Sequence, residues 1–80
     1  MDPLSDFPDD AIKINVKSRN IEGILDFSRF KRLRELDCVY NKITRLDNLP
    51  NCLIKLRCFQ NKIKNLDNLP NHIIEYFLIF

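Results

Sequence analysis

Eighty residues allow one small domain, and a hydrophobic share of 45% beside 30% charged residues excludes wholesale disorder. A formal charge of +2 neither demands nor excludes a nucleic-acid partner, and the single glycine, Gly23, excludes a glycine-rich phosphate loop. Three cysteines without framework spacing point to a reducing compartment, and no apolar run reaches membrane-spanning length.

The first ten residues are acidic and lack the basic flank and apolar run of a secretion signal, so a cytoplasmic location is expected. From Leu4 a pattern emerges: Leu4, Phe7, Pro8, Ala11, Ile14 and Val16 overlay Leu46, Leu49, Pro50, Leu53, Leu56 and Cys58. The chain therefore opens on a half repeat, residues 1–10, in which Phe7 and Pro8 cover the end of an apolar column. A first complete unit follows over 11–32, with apolar residues at Ile14, Val16, Ile21, Ile24, Phe27 and Phe30. Its spacing is 22 residues where the later units have 20, and Arg19 stands where they have asparagine, with Asn20 beside it. Either residue is a candidate for that slot.

Units 33–52 and 53–72 are near duplicates, each reading L-x-x-L-x-C-x-x-N-x-I-x-x-L-x-x-L-P, and residues 73–80 open another unit through its strand. Leu36 and Cys38, two apart, suit a short strand with both side chains inward. Asn41 and Asn61 stand where the chain must leave the sheet, and there a side-chain amide can satisfy backbone groups of its own and the neighbouring unit. The two should form a structural ladder. Ile43, Leu46 and Leu49 then recur every three residues, a spacing that suits an extended or 3₁₀-like return, and Pro50 and Pro70 oppose a regular helix. Four short parallel strands are expected, centred on 14–16, 36–38, 56–58 and 76–78.

This pattern resembles the leucine-rich repeat family over residues 4–78. The L-D-N-L-P-N segment with a strand cysteine is similar to short repeats of amoeba-infecting giant DNA viruses. The 20-residue unit with Leu-Pro is similar to those of bacterial secreted effectors, and the 22-residue unit to internalin-type repeats. The resemblance implies one right-handed α/β-type solenoid with strands on a concave face and irregular or 3₁₀ returns on a convex face. It also implies protein binding on the concave sheet, in the host cytoplasm if the source is viral, with no cofactor.

Stacking the units in register makes columns of outward residues. Lys13, Glu35, Lys55 and Glu75 alternate in sign and should pair with one another. The columns Asn15, Asp37, Arg57, Phe77 and Lys17, Val39, Phe59, Ile79 grow more apolar toward the C-terminus, with Tyr40 at the rim. The expected partner surface is therefore Asp37, Val39, Tyr40, Arg57, Phe59, Phe77 and Ile79. An uncovered last strand invites a second copy, so a two-fold homodimer is expected through Ile73, Tyr76, Phe77, Leu78, Ile79 and Phe80.

Other chemistry is weaker. Cys38 and Cys58 share an inward slot and read as buried thiols; Cys52 and His72 are too few for structural zinc. The run Arg29, Lys31, Arg32, Arg34 reads as a solvated turn, with contact to an acidic partner or phosphate as its alternative. These features define a non-catalytic protein-interaction module. A self-associating structural protein and the recognition part of a larger effector or ubiquitin-ligase adaptor are the alternatives.

Overall fold

A computed structural model describes residues 2–64 and the backbone of residues 75–77. Each unit contributes a three-residue strand: β1 (Lys13–Asn15), β3 (Glu35–Asp37), β5 (Lys55–Arg57) and β6 (Glu75–Phe77). In β1, β3 and β5 one buried apolar side chain lies between two polar ones. They form one parallel sheet in the order β1-β3-β5-β6. Register is the feature that matters: Ile14 lies beside Leu36, Leu36 beside Leu56, and Leu56 beside Tyr76, so equivalent letters of successive units are spatial neighbours. The strands begin one residue earlier than expected, because the chain already turns after Asn15, Asp37 and Arg57.

The returns differ from expectation. No helix occurs among the described residues, and the irregular or 3₁₀ path is replaced over two units by a second parallel sheet of β2 (Glu22–Asp26) and β4 (Lys42–Asp47). Extended returns let neighbouring units satisfy each other's backbone: the Lys42 amide donates to Ile21 O at 2.7 Å and the Phe27 amide to Asp47 O at 2.9 Å. A pure strand would alternate its side chains, yet Ile43 and Leu46, three apart, are both buried. The register shift between Gly23 and Ile24 resolves this. It leaves Thr44 as an extra residue in β4, and such a bulge restores the inward face one position later. Gly23 accommodates the irregularity with a φ of 81°. Among the described residues 3₁₀ character survives as turns in which amides donate three residues back, Phe30 and Leu33 to Phe27 and Phe30 in the first return, and Ala11 and Leu53 to Pro8 and Pro50.

Between the two sheets lies one apolar cluster that includes Ile14, Leu25, Phe27, Phe30, Leu33, Leu36, Ile43, Leu53 and Leu56. Leu4 joins it and Phe7 packs against it from residues 2–10, which close the β2 end of the core. Arg29 holds that segment in place. Its guanidinium donates to Phe7 O at 2.9 Å and to Leu4 O, and pairs with the Asp9 carboxylate at 2.6 Å. Arg19 adds a looser tie to Asp6 at 3.5 Å and lies over the Phe7 ring.

Candidate interaction surface

After each strand the chain must reverse sharply, and it does so through a residue with left-handed backbone. Ser18, Tyr40 and Gln60, at equivalent places in successive units, have φ of 58°, 56° and 57°. Just beyond, Asn41 fills the space between units. Its Oδ1 accepts from the Arg19 and Ile21 amides at 3.1 and 2.9 Å, while its Nδ2 lies 2.9–3.1 Å from Val16 O, Cys38 O and Val39 O. Asn61 repeats the arrangement one unit on, accepting from Ile43 N and donating toward Cys38 O, Cys58 O and Phe59 O. Neither candidate for the first slot occupies it. The Arg19 side chain turns away to Asp6, and exposed Asn20 spends its freedom on a second left-handed residue, φ 57°, in the longer first turn.

On the outer face of the larger sheet, charges pair across strands. Glu35 sits between Lys13 at 3.3 Å and Lys55 at 3.7 Å, and Asp37 is 3.7 Å from Arg57. These rows line a shallow open groove over β1, β3 and β5. At its rim, Tyr40 is 53% exposed and meets the half-buried Phe59 edge-on at 6.0 Å. Arg57 lies 5.7 Å from the Phe59 ring centre, and Lys17 lies 6.0 Å from that of Tyr40. Lys17, beside Tyr40, is absent from the expected surface. Its place in the column of Val39 and Phe59 was the available signal.

Val39 is a correction. Expected to face solvent, it is 1% exposed. The strand ends at Asp37, and the turn that follows carries Cys38 and Val39 both into the interior, where Val39 O accepts from Ser18 and Asn41. Strand alternation therefore does not extend to residue 39. The structure thus brings together Asp37, Tyr40, Arg57 and Phe59. Phe77 and Tyr76 are placed by backbone register alone, while Ile73, Leu78, Ile79 and Phe80 lie outside the described residues, as does His72.

Cys38 and Cys58 are buried free thiols. Burial pushes the Cys58 thiol up from 9.0 to about 11, and deeper burial, helped by Cys58 and Asp37, raises Cys38 further. Exposed Cys52 donates toward Leu33 O and Lys31 O. Among the described residues no group of three acidic, histidine or cysteine side chains could hold a metal ion. Of the basic run, Arg29 is engaged with residues 2–10, whereas Lys31, Arg32 and Arg34 are exposed. Comparison with protein families, curated proteins and solved structures found no match.

Proposed function

We propose that this chain is a leucine-rich repeat solenoid working as a non-catalytic protein-interaction module, with Tyr40, Phe59, Arg57 and Asp37 at the centre of its partner surface. The observation that carries the reading is Tyr40. A bulky aromatic in left-handed backbone is strained by about 1–2 kcal/mol, and its equivalents in the neighbouring units are the small Ser18 and the flexible Gln60. Here the strain holds a large ring out in solvent, edge-on to a second aromatic and flanked by cations, the residue types that dominate binding energy at interfaces.

The test is affinity capture from lysate with wild type beside Tyr40→Gly and Phe59→Asp. Tyr40→Gly suits the turn, so its stability should stay within about 1 kcal/mol of wild type while captured proteins disappear. Identical capture by all three proteins would end this assignment. Val39→Asp is no use as a probe, since it would place a charge in the interior.

A further inference from the structure

The two outermost strands of the larger sheet, β1 and β6, are complementary to each other rather than to themselves. We infer that the chain associates head to tail with a second copy of itself, β6 of one copy pairing in parallel with β1 of the next.

The hydrogen-bonding sides of the strands set the geometry. Val16 N donates to Asp37 O and Ile12 O accepts from Arg34 and Glu35, so the even-numbered residues of β1 face β3. Backbone groups alternate sides along a parallel strand, which turns those of Lys13 and Asn15 outward. Similarly, Ile54 and Lys55 donate to Arg34 O on the β3 side of β5, and the register carries Glu75 and Phe77 toward β5, leaving Tyr76 outward on β6. Residues 2–10 do not close the β1 edge. Among the described residues, beyond the local turn from the Ala11 amide to Pro8 O, their hydrogen bonds to the rest of the chain run through the side chains of Arg29 in the return and of Arg19 in the turn after β1, and none goes to the backbone of Lys13–Asn15. Ile12, immediately before β1, is 53% exposed.

Charge then selects the junction. In register the first row of residue types runs Lys13, Glu35, Lys55, Glu75, and Glu35 makes ion pairs on both sides. Continuing that register across a β6–β1 junction sets Glu75 beside Lys13 of the next copy, Tyr76 beside its Ile14 and Phe77 beside its Asn15. The alternation proceeds without a break. A two-fold pairing of β6 with itself would oppose Glu75 to Phe77, and of β1 with itself Lys13 to Asn15; neither offers an opposite charge. A heterologous contact of this kind grows into an open chain or closes as a ring instead of stopping at two. It does not involve Tyr40.

Sedimentation equilibrium tests it with Asn15→Pro and Tyr76→Pro, each removing one outward N–H while leaving the pairing to the adjacent strand intact. Wild type should show average mass rising steadily with concentration, each variant alone should be monomeric, and an equimolar mixture should stop at a one-to-one heterodimer. Tyr40→Gly should associate like wild type, which separates this inference from the partner surface. If circular dichroism shows that a proline variant is misfolded, Lys13→Glu replaces it. It should weaken association about tenfold and gain affinity with added salt, where wild type loses it. Self-association of Asn15→Pro or Tyr76→Pro alone, a wild-type plateau at dimer, or wild type monomeric throughout would overturn the proposal, as would Lys13→Glu associating like wild type.

Discussion

Asn41 answers for five backbone groups in two successive units, three carbonyls and two amides, at a position only 8% exposed. Replacing it by alanine strands Val16 O and the Arg19 and Ile21 amides where water has little access, while Cys38 O keeps Asn61 and Val39 O keeps the Ser18 amide. At about 1–3 kcal/mol for each buried group left unpaired, with partial relief from local relaxation, Asn41→Ala should lose about 3 kcal/mol or more in urea denaturation. Asn61→Ala should lose less, since Asn61 is only half-buried. Its spacing made the role of Asn41 legible in the sequence. What the sequence left open was the first slot, because Arg19 and Asn20 both looked eligible, whereas one asparagine serves the turn before it as well as its own. Val39 was misread for a related reason: periodicity two holds only while the strand lasts, and nothing in the letters marks its end at Asp37.

The returns show what spacing alone conceals. Three-residue intervals at Ile43, Leu46 and Leu49 fit a 3₁₀ path, but equally fit a strand containing one extra residue, and only the pairing of β2 with β4 decides between them. Residues 2–10 were readable as a cover through their apolar letters. Their attachment was not, because Arg29 is far from them in sequence and sits in a basic run that looked merely solvated. Arg29→Met should therefore remove protection from hydrogen exchange in residues 2–10 while leaving the amides of β3 and β5 protected, at a stability cost of about 1–2 kcal/mol. Uniform loss of protection throughout would show that this segment and the sheets open as one unit.

For the molecule as a whole, buried thiols shape the response to alkali. A thiol whose folded pKa is raised contributes its stability in full below the free value of 9.0, and that contribution drains away as pH climbs toward about 11, the folded value of Cys58. Cys38, raised further, steepens the same limb. Urea midpoints should be flat from pH 7 to 8.5 and fall above 9, and Cys58→Ala should flatten that fall. At the acid end Asp26, held low by Asn48 and then by the Ser28 amide, keeps its contribution above 3.8 and loses it below. Parallel strand neighbours were legible because equal letters recur at equal intervals; the unequal first interval was not. It is reconciled in patches: residues 16–21 stand against 38–41, Thr44 gives one back, and residues 27–34 stand against 48–54. The fabric thus has seams where lengths can differ without puckering the cloth on either side. Spare residues spliced at those hems should be absorbed, whereas a single one stitched into Glu35–Asp37 would misalign every row it crosses.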